Sequence, residues 1–188
     1  MKKTLLLISI GMLLSLGTGV AHSGEMAPKK GFDFANSELV KLGTDPIIVN
    51  AVKAENLKGK TLDQIKELDE KWKGHAGIAD YMSSLMDSEC GKHLRDIQNS
   101  AEYFAEIFVM DNQGANVAMT NKTSDYWQGD EAKFQKSFNG GQGALFVDDV
   151  EFDDSAQAYL VQVSFPVKDG NHVIGAVTVG IDIDRMME

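Results

Sequence analysis

Within nine residues, the segment Thr123-Ser-Asp-Tyr-Trp-Gln-Gly-Asp-Glu131 gathers two aromatic rings, an amide, hydroxyls and carboxylates. That mixture gives a small polar ligand faces to stack on and groups to hydrogen-bond. The candidate contacts are Ser124, Asp125, Tyr126, Trp127, Gln128 and Asp130, with Lys133 just beyond them. A carboxylate ligand would also need donors, and Lys122, Lys133, Arg95 and the Tyr126 hydroxyl are the local ones. The plainer reading has Tyr126 and Trp127 roofing a core, with Asp130 capping the helix that follows. For Asp130 the two readings weigh equally.

Further along, Gln162 and Ser164 alternate with apolar neighbours, as do Thr178 and Asp182. Polar residues on one strand face line a wet pocket or simply meet solvent, and antiparallel sheets allow both. Gln162, Thr178 and Asp182 join the candidate ligand contacts. Met82, Met86, Cys90 and His93 step by four, four and three. A continuous helix would set their soft donors on one face, as a copper(I) site requires; the alternative buries the methionines and cysteine in the core, with Gly91 breaking the helix. Cys90 with His93 lacks a third orienting group for nucleophilic catalysis. Asp148, Asp149, Glu151, Asp153 and Asp154 do not have the spacing of a calcium loop, and read as a solvated hairpin. There is no G-x-S-x-G, phosphate-cradling glycine loop or paired metal-histidine motif. The reading is therefore a binding protein and not an enzyme, with no cofactor.

The elements that must position these groups follow from periodicity. Asp45 before Pro46 predicts a helix over Pro46 to Glu55. Thr61 and Gln64 form a capping-box pattern ahead of Leu62, Ile65, Leu68 and Trp72, and the helical period continues through Ile78, Tyr81, Met82, Leu85 and Met86, then Leu94, Ile97 and Ala101. Near Phe104 the period becomes two. A strand through Ile107, Phe108 and Val109 turns at Asp111 to Gly114 and returns over Ala115 to Thr120. A helix over Glu131 to Phe138 follows the candidate loop. A short third strand holds Leu145 and Val147, ahead of an acidic turn. Tyr159, Val161, Val163 and Phe165 share one face of a fourth strand; Val173, Gly175, Val177, Val179, Ile181 and Ile183 share one face of a fifth. The fold class is α+β: a five-stranded antiparallel sheet with long N-terminal helices packed on it.

Composition narrows the setting. Residues 1–23 read as a signal peptide, with Lys2 and Lys3, an apolar run from Leu5 to Val20, and small residues at Gly19, Ala21 and Ser23. That run is short for a membrane anchor, the competing reading. Since Cys90 is the only cysteine, neither a lipoprotein nor an intramolecular disulfide is expected. Cleavage after Ala21 would remove two lysines and no acid, taking the formal charge of −10 to −12. Such an acidic chain excludes a phosphate-collecting basic face, hence nucleic acid. Residues 24–44 read as a flexible lead-in, and 45–188 as one domain.

The segment Glu106-Ile-Phe-Val-Met-Asp-Asn-Gln-Gly-Ala-Asn-Val-Ala-Met-Thr120, a strand, D-x-x-G turn and strand, resembles the opening of extracytoplasmic PAS-like sensor domains, the single Cache (PDC) family. Thr123 to Glu131 looks like that family's loop leading into its pocket helix, with Phe134 at the helix's aromatic position. Val163-Ser-Phe-Pro-Val167, Gly170 and Val173-Ile-Gly-Ala-Val-Thr-Val-Gly180 look like its last two strands. The resemblance covers about Leu62 to Arg185. It implies a pocket between one sheet face and the loop and helix joining strands two and three, taking organic acids, amino acids or similar metabolites. Family members are usually the outer parts of chemoreceptors, histidine kinases or cyclases. This sequence stops at Glu188 after the last strand, so the expectation is a secreted periplasmic sensor that lacks an output module and acts through a separate membrane kinase or receptor. Pairing of two chains through the N-terminal helices is a further expectation. The alternatives are a copper-handling module or an enzyme of unknown class.

Overall fold

The computed structural model describes residues 33–34, 37–153 and 157–188. The predicted signal peptide lies outside them. None of the helices among the described residues is long and apolar enough to cross a membrane. The end of the expected lead-in is a 3-10 helix, Leu39–Thr44, with Leu39 buried in the core and Gly43 against the Pro166 carbonyl.

Four helices precede the sheet: α1 (Pro46–Asn56), α2 (Leu62–Lys73), α3 (Asp80–Asp87) and α4 (Glu89–Gln98). Asp45 caps α1 as expected, its carboxylate accepting from the Ile47 and Ile48 amides at 2.9 and 3.2 Å. The capping box on α2 forms in both directions, between Thr61 and Gln64. The expected break at Gly91 falls instead at Ser88, whose hydroxyl accepts from the Gly91 amide at 2.9 Å and starts α4. Gly91 stays helical because its missing side chain lets α4 press against the Leu85 and Met86 carbonyls.

The sheet consists of β1 (Phe104–Met110), β2 (Asn116–Met119), β3 (Phe146–Asp153), β4 (Ala158–Asp169) and β5 (His172–Asp182), with α5 (Ala132–Phe138) between β2 and β3 and α6 (Ile183–Met187) at the end. All pairings are antiparallel, in the order β2-β1-β5-β4-β3. Most of the acidic run is strand and not turn, and Asp154 lies outside the described residues. Asp148, Asp149, Glu151 and Asp153 belong to β3, longer than expected and an edge strand; charge on an edge discourages further strand pairing.

Alternation sorts the two faces. Val163, Phe165, Val177, Val179 and Ile181 are fully buried beneath α1, α4 and the 3-10 helix, as their period predicted. The other face carries Phe108, Met110 and Ala176 under Phe134 of α5 and Tyr126. Gly175 is where α1 crosses β5: a side chain there would strike the Met110 carbonyl and come within 2.9 Å of a Val52 methyl. Gly175→Ala is accordingly expected to cost about 1–3 kcal/mol by overpacking. Chemical denaturation would check this, and an unchanged midpoint would contradict the close crossing.

Candidate functional site

The site begins with the turn after β1. Buried Asp111 accepts from the Gln113 and Ala115 amides at 2.8 and 2.9 Å, and Gly114 takes a positive φ of 85°. A side chain on Gly114 would also sit 2.5 Å from the Gly129 Cα, because the chain after β2 doubles back along the turn. Asn116 N donates to the Tyr126 carbonyl at 3.0 Å and Gln128 N to the Gly114 carbonyl at 2.8 Å. Tyr126 to Gln128 thus runs beside the start of β2.

The loop's other fastenings go to α2 and its flanks. Asp69, buried on α2, accepts from both the Tyr126 and Trp127 amides on one oxygen, at 2.8 and 3.0 Å. Its second oxygen pairs with Lys73 at 2.6 Å, and Lys73 reaches Asp125 at 3.2 Å. Trp72 donates to the Thr123 carbonyl at 2.8 Å, and Lys122 to the His75 and Gly77 carbonyls at 2.8 and 3.0 Å. Lys66 lies 4.7 Å from the Trp127 ring centre. Lys60 reaches the Tyr126 hydroxyl at 3.1 Å and Glu55 at 2.5 Å. Burial of Lys60 would lower its pKa, but these two bonds outweigh it and hold the ammonium above its ordinary value; burial pushes the Tyr126 hydroxyl up.

Beneath this roof is a cavity of about 460 Å³ on the second sheet face. Its floor is Glu106 and Phe108 of β1 with Gln162 of β4; Lys122, Ser124 and Gln128 come from the loop, Lys133 from α5, and Asp153 from the end of β3. An adjoining hollow of about 210 Å³ shares Lys133, Asp153 and Gln162, and adds Asp148, Asp149 and Glu151. A groove of about 510 Å³ on the other face lies between α1 and the α3–α4 junction, lined by Ile47, Ala51 and Leu85 over Val117.

The structure brings together four of the predicted contacts in the cavity: Ser124, Gln128, Lys133 and Gln162. Tyr126 and Trp127 are structural roof, Tyr126 packed 5.6 Å from the Trp72 ring and Trp127 donating to the Gln113 carbonyl at 2.8 Å. Asp125 is tied to Lys73, and Asp130 is exposed; the N-cap of α5 is Glu131, and no side chain caps that end. Thr178 is bonded to Ser164 at 2.8 Å, both fully buried. Asp182 caps α6 through the Arg185 amide at 3.1 Å. Of the proposed carboxylate donors, Lys122 and Lys133 line the cavity, whereas Arg95 donates to the Met86 carbonyl at 3.2 Å.

Sequence reasoning missed Glu106. It alternates with the buried Ile107 and sits among strand-forming residues, where a lone carboxyl signals a polar use of that face. Gln162 donates to it at 2.9 Å. Burial pushes its carboxyl upward, opposed by the Gln162 bond and nearby Lys133, and reinforced by Asp153 and Glu131. The copper(I) constellation disperses: Met82 and Met86 are core, buried Cys90 has its thiol pushed up to about 12 chiefly by burial, and His93 contacts Asp45 at 3.1 Å. Among the described residues, no group of three or more His, Cys, Asp or Glu is placed to hold a metal ion.

No family model matches the chain, nor does any curated protein. Solved structures are similar at low identity. The sensor domain of the Vibrio cholerae histidine kinase DctB is 12% identical, with a TM-score of 0.45 over 84% of this chain and 51% of that one. The sensory domain of the Campylobacter jejuni chemoreceptor Tlp3 is 15% identical, with 0.42 over 80% and 63%. The ligand-binding domain of the Pseudomonas aeruginosa amino acid chemoreceptor PctC, in complex with GABA, is 11% identical, with 0.39 over 78% and 59%. The chain thus spans between half and two thirds of these proteins' length. Its own strand order supplies the decisive observation: five antiparallel strands as 2-1-5-4-3, helices ahead of them, and a loop and helix between β2 and β3 roofing one face. The fold is α+β with an open five-stranded antiparallel sheet, consistent with Cache and PAS-like domains. The cavity lies between the second sheet face and the loop and helix that join β2 to β3.

Two outcomes follow from this geometry. Asp69→Ala strands two amides beneath the roof and is expected to lower unfolding free energy by about 3 kcal/mol, whereas Asp69→Asn, which keeps an accepting oxygen, loses less; equal losses in urea titrations would contradict the double acceptance. Glu106 has its folded pKa raised, so its contribution is full below the unfolded carboxyl value and is lost as pH rises through the folded one. Glu106→Gln is expected to abolish that share of the pH dependence, read as the difference between wild-type and variant unfolding curves.

Proposed function

We propose that this chain is a ligand-binding sensor domain that takes a small metabolite, an organic acid or amino acid, into the cavity between the sheet and the Lys122–Gln128 loop. The observation that carries the reading is the cavity itself: about 460 Å³, with an aromatic floor and convergent amide, hydroxyl, ammonium and carboxyl groups. The likeness to sensor domains, one of them bound to GABA, runs in the same direction without deciding the ligand. A sensing role in place of catalysis is favoured because the thiol of Cys90 is buried and held protonated, and His93 is engaged by Asp45.

In this reading the domain works in the periplasm after removal of residues 1–23 as a signal peptide, and passes its state to a membrane kinase or receptor. Pairing through α1 to α4 would be one way to present that state. Because the roof is fastened to α2, ligand entry that shifts the loop also bears on α2. The test is thermal unfolding of the full mature chain against a panel of organic acids and amino acids. A ligand at a hundred times its Kd is expected to stabilise by about 2.7 kcal/mol. Gln162→Ala should weaken that ligand by about tenfold, the scale of a lost hydrogen bond, while Trp127→Ala should lower stability through the roof. A panel in which no compound raises the unfolding midpoint would sink the reading.

A further inference from the structure

The charges around the cavity are not alike in their circumstances. Lys122 already donates to two backbone carbonyls, and Lys133 lies 2.9 Å from Glu131. Both ammonium groups are answered by the protein. Glu106 is different: its bonded partner is the neutral amide of Gln162, and among the described residues no cation stands within ion-pair distance of it. A half-buried carboxyl that is hydrogen-bonded by an amide, with Lys133 acting on it only from beyond ion-pair distance, keeps accepting capacity for a further donor.

The sheet is built to hold that carboxyl. Glu106, Gly180 and Gln162 form one row across β1, β5 and β4, with Gly180 in register with both. A side chain on Gly180 would come within 2.7 Å of the Glu106 Cγ and 3.1 Å of its Oε1. The glycine leaves the space in which the carboxyl and the amide meet over the central strand. Phe108 is next on the same face of β1, and the Lys133 ammonium lies 5.6 Å from its ring centre, so this ring already faces a cation. Asp153 shares the cavity, and beyond it Asp148, Asp149 and Glu151 continue the same sign along the adjoining hollow. The cavity itself sets Glu106 and Asp153 against Lys122 and Lys133, and the adjoining hollow tips the joint lining to the acidic side, which favours cations.

We propose that the cavity recognises an organic amine, its ammonium group donating to Glu106 across the Gly180 gap and lying against Asp153 and the Phe108 ring. This rests on the reading of the cavity as the ligand site, and narrows it: the ligand is a zwitterion or a cation, and a simple carboxylic or dicarboxylic acid is not accepted. A ligand long enough to pass Lys133 would carry a second amine into the acidic hollow, which favours diamines and basic amino acids over monoamines.

The experiment uses the full mature chain with putrescine, L-lysine and γ-aminobutyrate as amine probes, and succinate and propionate as anions, read by thermal shift and calorimetric titration. At least one amine probe is expected to bind and neither anion to do so. Glu106→Gln is nearly isosteric and removes the desolvated charge, so the unliganded variant should unfold at a midpoint no lower than wild type, while amine affinity falls by about tenfold or more. Gly180→Ala, which displaces the carboxyl without changing charge, should weaken the same probe. Anions that bind while amines do not would overturn the inference and leave the cavity standing as a ligand site. An amine whose affinity is unchanged in Glu106→Gln would overturn the assignment to this row. If no probe of either kind binds, the amine inference fails, and the wider panel described above decides the sensor reading independently.

Discussion

β5 runs between β1 and β4, hydrogen-bonded antiparallel on both edges, and that double pairing fixes the remaining architecture. A strand with both neighbours in place cannot shift register without turning every side chain to the wrong layer. Val177, Val179 and Ile181 must therefore meet the helices of one face, and Ala176, Thr178 and Gly180 must meet whatever covers the other. The first set is branched and apolar, the second small or hydroxylated. Both faces thus hold packed residues, the branched set against the helices of one face and the small set buried on the other. The cavity opens over Glu106 and Phe108 of β1 and Gln162 of β4, the strands on either side of β5.

The roof of that cavity does not belong to the sheet. From Lys122 to Trp127 the loop is fastened to α2 and the residues around it, by Asp69, Trp72 and Lys73 from the helix and by Lys60 and the His75 and Gly77 carbonyls from its flanks. Asn116, through its amide and side chain, and the Gln113 carbonyl tie it back to β2 and its turn, as does the following Gln128 through the Gly114 carbonyl. The cavity is thus bounded below by a paired sheet, and above by a loop pinned between α2 with its flanks and the start of β2. Buried charged acceptors such as Asp69 make that attachment specific, because the amides they satisfy have no water to turn to.

Much of this was legible in the residues. Asp45-Pro46, Thr61 with Gln64, and Asp111 to Gly114 each encode a local hydrogen-bond pattern that needs no tertiary context, and each formed as read. The alternation of Val161, Val163 and Phe165 fixed its face for the same reason. The misreadings share a cause. The acidic run looked like a solvated turn because its charges outweigh its strand formers, yet pairing with β4 at a sheet edge places Asp148 to Asp153 in a strand. For Tyr126 and Trp127 the sequence leaves ligand contact and core roof open, because composition cannot say which side of a loop a ring takes; Asp69, more than fifty residues earlier, holds the backbone where they pack as roof. Asp182 looked like a pocket residue by parity, but the strand ends there and its carboxylate caps a helix. Gly91 looked like a breaker, and the contact with two carbonyls of α3 that keeps it helical is invisible to periodicity.

Glu106 is the residue that local rules least explain. Its neighbours Ile107, Phe108 and Val109 are strand formers buried to 2% exposure or less, and a hydrophobic or small polar residue at 106 would pack against Gly180 without a desolvated charge. Phe108 and Thr178 occupy the next row and are satisfied by packing and by the Ser164 hydroxyl. The row containing Glu106 instead combines a glycine, which weakens a strand, with a carboxyl whose burial is unfavourable, and a glutamine that answers only part of its hydrogen-bonding capacity. Apart from the Gln162–Glu106 hydrogen bond, this row gives the fold less than a packed apolar row would. The row fits the amine receptor proposed above, in which an ammonium from the ligand would complete the hydrogen bonding of the Glu106 carboxyl.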